Sequence, residues 1–153
     1  KDERASFRLS PEQRKKGLAL VRLAALILFT FPGSPTVYYG DEAGMEGGKD
    51  PFNRRTYPWG REDPEILSFF RHLGRLRKER EELRLGDIRF FAAGDKHIGF
   101  ARSFEGKTSK IYVNRSGDPW EVETGHVLMG KLMETVAYDR LVLAPRGFCI
   151  VEE

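Results

Sequence analysis

Two side chains of opposite charge stand four residues apart in a loop-like stretch, Asp50 and Arg54 in Asp50-Pro51-Phe52-Asn53-Arg54-Arg55. A carboxylate accepts hydrogen bonds and a guanidinium donates them, so the pair can hold the hydroxyls of a polyhydroxylated ligand. The same spacing serves a plainer end, an ion pair that fixes the loop. Just downstream, Tyr57 and Trp59 can cover the apolar side of a ring or pack beneath the loop. Asp41 and Glu42 are adjacent carboxylates. Neighbours leaving a strand point to opposite sides, so these two do not face one substrate together. They are expected to hydrogen-bond loop backbone or to pair with an arginine. His72, His97 and His126 are scattered without ligand spacing, and Cys149 sits in an apolar segment as an inert thiol. No metal site and no cofactor is expected.

These residues need elements to position them. Ser10-Pro11-Glu12-Gln13 carries a cap, a proline suited to the first helical position and a capping-box glutamine. From Leu18 to Phe29 every residue but Arg22 is apolar, which predicts a helix over 11–29 buried on most sides. Phe31-Pro32-Gly33-Ser34-Pro35 ends it. Thr36-Val37-Tyr38-Tyr39 reads as a short strand closed by Gly40. Residues 41–60 form a long loop, of the kind that is functional or disordered. A second helix starts at Asp63-Pro64-Glu65, with Ile66, Phe69, Phe70, Leu73 and Leu76 on one face. The basic residues between Arg71 and Arg80 read as its solvated side and not as a nucleic-acid site. After Gly86 the period becomes two. Strands are expected at Ile88–Ala93, His97–Phe104, Lys110–Arg115, Trp120–Thr124, Leu141–Ala144 and Phe148–Val151, an antiparallel sandwich or small barrel.

The chain has 153 residues, 40% of them hydrophobic, enough for a core. Lys plus Arg is 26 and Asp plus Glu is 23, a net charge of +3. That is far from the clustered surplus of a nucleic-acid binder. One cysteine excludes an internal disulfide framework, and no apolar run has the length of a membrane helix. The single cysteine and the lack of a signal-like start favour a cytoplasmic setting over a secreted one. The chain opens Lys1-Asp2-Glu3-Arg4 without an initiator Met, so it is expected to be a piece of something longer.

The run Leu28-Phe29-Thr30-Phe31-Pro32-Gly33-Ser34-Pro35-Thr36-Val37-Tyr38-Tyr39-Gly40-Asp41-Glu42 closely resembles a motif of the α-amylase family, glycoside hydrolase family thirteen. There it forms the eighth strand of a (β/α)₈ barrel and the loop after it. The segment from Asp50 to Trp59 is similar to the next segment of the neopullulanase and cyclomaltodextrinase branch, with Asn53 standing where that branch has Cys. The resemblance implies a fold class of α+β fragment: residues 1–85 are the barrel's seventh helix, eighth strand, substrate loop and eighth helix. Residues 86–153 are the C-terminal antiparallel β-sandwich.

The resemblance also implies retaining cleavage of α-1,4 or α-1,6 bonds in maltodextrin, cyclodextrin or pullulan. Its Asp nucleophile, Glu acid/base and third Asp would all lie upstream of Lys1. Catalytic residues are therefore expected to be none within this chain. Asp50, Arg54, Tyr57 and Trp59 are the expected contacts to an α-glucan oligosaccharide. The other reading is a stand-alone module that binds glucan or scaffolds a partner. Without the missing upstream barrel, one strand and one helix cannot cover the helix at 11–29. Self-association through residues 11–39 is expected in isolation.

Overall fold

A computed structural model describes residues 8–123, 125–137 and 139–153. Its first helix, α1, runs Pro11–Thr30. Ser10 caps it as the sequence predicts, with its hydroxyl accepting from the Gln13 amide and the Gln13 side chain accepting from the Ser10 amide. The second helix, α2 (Pro64–Glu79), is capped by the Asp63 carboxylate, which accepts from the amides of Glu65 and Ile66. A one-residue break at Arg80 leads into the short α3, Glu81–Leu85.

Six strands follow: β1 (Asp87–Ala93), β2 (His97–Phe104), β3 (Lys107–Asn114), β4 (Trp120–Glu123), β5 (His126–Ala137) and β6 (Arg140–Glu152). All pair antiparallel in one sheet of order β1-β2-β3-β6-β4, with β5 along the other side of β6. This corrects the expected sandwich: the strands form a single curled sheet and not two stacked ones. The cause is β6. The expected Leu141–Ala144 and Phe148–Val151 are one strand, running through Pro145-Arg146-Gly147 with Arg146 at a φ of 61°. Its early half pairs with β4, its late half with β3, and β5 accompanies both. Of the expected strand Trp120–Thr124, residue Thr124 lies outside the described residues.

The expected strand at Thr36–Tyr39 is also corrected. The segment makes no ladder with any described strand. A strand is defined by its neighbour, and the six downstream strands satisfy one another. Tyr38 instead accepts from the Asp41 amide (3.1 Å) and Gly40 from the Met45 amide (2.9 Å), making a compact turn. Gly40 has a φ of 94° there, a conformation that residues with a Cβ rarely adopt.

The period-two pattern sorts the sheet into two faces. Phe100, Ile111 and Ile150 lie side by side in register, as do Ile98, Val113 and Phe148. They pack with Leu23 and Leu26 of α1, with Ile66, Phe69, Phe70, Leu73 and Leu76 of α2, and with Leu83 of α3. One hydrophobic cluster thus joins the helices to the sheet. The opposite face gathers Tyr112, Cys149, Val151, Val122, Leu141 and Leu143. On α1, Leu23, Ala25 and Leu26 are buried, while Leu20, Ala24 and Leu28 form an exposed stripe at four-residue spacing.

Two arginines hold the junction. A helix ends with carbonyls that lack intrahelical donors and carry partial negative charge, so a cation there is favourable. Arg77 donates to the carbonyls of Phe29 (2.7 Å), Phe31 (3.1 Å), Leu83 (2.8 Å) and Gly33. Arg102, fully buried on β2, donates to those of Thr30, Leu83 (3.0 Å), Gly86 (2.7 Å) and Asp87 (3.3 Å). Burial pushes both guanidinium groups below their ordinary value, and their mutual or neighbouring positive charges add to it.

Candidate functional site

The loop between Asp41 and Glu62 carries the four candidate contact residues, and its base is anchored from both helices. Arg14 of α1 donates to the Gly44 carbonyl (3.0 Å) and to the carboxylates of Glu46 (3.1 Å) and Asp63 (3.3 Å). The Asp63 amide donates to the Ala43 carbonyl (3.0 Å). The residue that starts α2 therefore also clasps the beginning of the loop.

The structure brings the four residues together as two pairs. Arg54 Nε lies 2.8 Å from Asp50 Oδ1, and both side chains are well exposed. The turn between them is built from the bond of the Arg54 amide to the Pro51 carbonyl (3.1 Å), and the Asp50–Pro51 peptide is cis. With one carboxylate oxygen and most guanidinium N–H groups left to solvent, the pair keeps both donors and acceptors for a ligand. The rings of Tyr57 and Trp59 meet at 4.5 Å with a 50° tilt. Trp59 is 78% exposed and Tyr57 half-buried, so the indole presents a free face.

Glu42 does what the sequence suggests for one of the adjacent carboxylates, and more. Its Oε2 accepts from the Gly40 amide (2.9 Å). It also accepts from the Tyr57 hydroxyl. Partial burial, and then the charge and hydrogen bond of Glu42, push the Tyr57 phenol above its ordinary value. The turn after Thr36–Tyr39 is thereby tied to the aromatic end of the loop, 15 residues on. A second tie runs from the Tyr39 hydroxyl to the Arg55 carbonyl (3.0 Å). Neither tie is legible in the sequence, because both join residues far apart in the chain.

Among the described residues no cluster of His, Cys, Asp or Glu could hold a metal ion. Cys149 is buried, and burial pushes its thiol up to about 12, so it is not a nucleophile. No helix of the described chain is long and apolar enough to cross a membrane.

No protein-family model matches the chain. It is 47% identical over 98 residues to an amylopullulanase of Thermoanaerobacter thermohydrosulfuricus, which covers 62% of this chain and 7% of that protein. It is 35% identical over 135 residues to a cyclomaltodextrinase of Geobacillus thermopakistaniensis, covering 85% of this chain and 23% of that one. In three dimensions it superposes on a debranching enzyme of Nostoc punctiforme with a TM-score of 0.77 at 30% identity, covering 89% of this chain and 31% of that one. The chain thus spans less than a quarter of these curated relatives' length and about a third of the solved one.

Proposed function

This chain is a relative of the α-amylase-family glycoside hydrolases, matching their C-terminal region, and we propose that it serves as that part of a retaining α-glucan hydrolase. In this reading residues 1–85 close a (β/α)₈ barrel and residues 86–153 form the domain that follows it. The catalytic carboxylates come from the rest of the barrel. The observation that carries it is that one alignment runs across both the helices and the sheet of this chain, in a cyclomaltodextrinase and in a debranching enzyme. A free-standing β module would account for the second half alone.

The role of the loop follows from its chemistry. Thr36–Tyr39, which has no partner strand among the described residues, would pair with a strand from the rest of such a barrel, where the segment after a strand faces the active site. There Asp50 and Arg54 hold hydroxyls of a glucose unit that does not itself react, and Trp59, backed by Tyr57, covers the apolar side of a ring. Such remote contacts align the scissile bond. Opposing them is the plainer possibility that the 2.8 Å ion pair only shapes the loop.

Kinetics on maltodextrins separate the two. Placed in the enzyme that contains this chain, Arg54→Ala should lower kcat/KM on long substrates by one to two orders of magnitude. That corresponds to roughly 1–3 kcal/mol for lost charge-assisted hydrogen bonds. The 153-residue chain by itself should release no reducing sugar from maltodextrin, cyclodextrin or pullulan. Wild-type kinetics in Arg54→Ala would remove the binding role, and sugar release by the chain alone would remove the placement of the carboxylates elsewhere.

A further inference from the structure

A cleft lies on the sheet face turned away from the helices. It encloses about 450 Å³ and is lined by Phe91, Tyr112 and Trp120 together with Arg89, Lys110, Glu121 and Glu123. That volume suits a small ligand.

The aromatic row is built by the backbone. The register of β1 on β2 slips between Phe90 and Ala92, which leaves Phe91 as the extra residue of a bulge. Bulges re-aim side chains. Here Phe90 contacts Phe31 and Phe100 on the helix side, while the adjacent Phe91 goes to the other face. Its ring lies over Gly99: a Cβ there would sit 2.3 Å from Phe91 Cε2, so only glycine lets the ring settle on β2. Gly99 pairs with Tyr112. The Phe91 and Tyr112 rings are 5.1 Å apart, and Tyr112 and Trp120 are 5.7 Å apart. His97 stacks on Trp120 at 4.4 Å and 11°, bracing one side of an indole whose other side borders the cleft. Phe91 is 40% exposed and Trp120 half-buried, while Tyr112, at 5%, is the buried floor on which both rest.

The rim selects the kind of ligand. Two cations and two carboxylates surround the rings, so the cleft has no net charge. Lys110 pairs with Glu153 (2.7 Å) and Glu121 with Arg140 (2.7 Å). Arg89 makes no ion pair among the described residues, which leaves its donors available. An anionic or cationic ligand would meet its own sign on half of this rim. A neutral ligand with hydroxyls that both donate and accept, and with apolar ring faces, matches every part of it.

We infer that the Phe91–Tyr112–Trp120 cleft binds a segment of an α-glucan chain, on a surface separate from the Asp50–Trp59 loop. That the polyol is a glucan rests on the function proposed above. The exposed Phe91 ring and the half-buried Trp120 indole, with buried Tyr112 packed against both, offer apolar faces to a pyranose unit, and the balanced rim holds its hydroxyls.

Trp120 reports on the cleft directly. In a Trp59→Phe background it is the only tryptophan, and maltoheptaose should change its fluorescence saturably, with a Kd of about 1 mM, typical of weak but specific sites. Phe91→Ala should weaken that binding roughly tenfold. Arg89→Ala, an exposed change that spares the core, should weaken it severalfold, and Arg54→Ala should leave it unchanged. The proposal is overturned if maltoheptaose gives no saturable change, if Phe91→Ala and Arg89→Ala both bind like their parent, or if Arg54→Ala abolishes the signal. Failure here with a large Arg54→Ala effect on turnover would remove the cleft and leave the proposed function standing.

Discussion

Replacing Arg102 by methionine should be among the most damaging single changes in this chain. Its guanidinium is fully buried and donates to four main-chain carbonyls, those of Thr30, Leu83, Gly86 and Asp87. Methionine fills much of the stem's volume but supplies no donor. The Leu83 carbonyl keeps Arg77 as a donor (2.8 Å), and each buried carbonyl left without a partner costs about 1–3 kcal/mol. Against that, removing the arginine recovers the several kcal/mol spent on desolvating a cation. The two leave a net loss of about 3–5 kcal/mol, a large part of the stability of a domain of this size. Urea unfolding followed by circular dichroism measures it, with an unchanged slope if the native state keeps its extent. Arg102→Lys should recover less than half, because a compact ammonium cannot span four carbonyls arranged for a planar fork. A methionine variant within about 1 kcal/mol of the parent would refute the reasoning. It would mean that the carbonyls find other donors once the arginine is gone.

Two further outcomes follow from particular contacts. The Arg80 guanidinium, 2.5 Å from Glu152, holds that carboxyl down at about 2, below its ordinary 4.5, with His126 adding to the effect. The ion pair therefore stabilises the fold above pH 4.5 and its contribution fades as pH falls toward 2. Glu152→Gln should be less stable than the parent at neutral pH, and acid titration of unfolding should show the two converging in that window. An equal gap at both ends of the titration would contradict this. The exposed stripe of Leu20, Ala24 and Leu28, with Tyr38 and Tyr39 also exposed, should drive concentration-dependent association of the isolated chain at micromolar levels. Sedimentation equilibrium should show Leu20→Glu with Leu28→Glu restoring a monomer, and a parent that is already monomeric would exclude the interface.

What was legible in the sequence was what is local. The starts of α1 and α2 could be read because Ser10 with Gln13, and Asp63 with Pro64, act within one turn. The apolar face of α2 could be read because Ile66, Phe69, Phe70, Leu73 and Leu76 repeat at helical spacing. The strand expected at Thr36–Tyr39 could not be judged this way, since its residue types suit a strand but pairing depends on a distant neighbour. Strand β5 carries no such local mark in the sequence. Its register slips at three places along β6, so its side chains lose the simple alternation that marks a strand. In the loop, Asp50 and Arg54 could be paired from their spacing. The bond of Glu42 to Tyr57 could not, and neither could Phe91, whose direction depends on a bulge.

Strand β6 has a consequence in time. It is synthesised after the other five strands, yet it is the only described partner of β4 and β5 and covers the open side of β3. While a ribosome is still making residues 140–152, the hairpins β1–β2 and β2–β3 can zip up, but β4 and β5 have nothing to pair with. The nascent chain must carry unpaired edges and an uncovered apolar face until that last ribbon emerges. Assembly of the sheet is thus gated by completion of translation through Glu152, and a polypeptide stalled a dozen residues earlier would expose all of those edges at once.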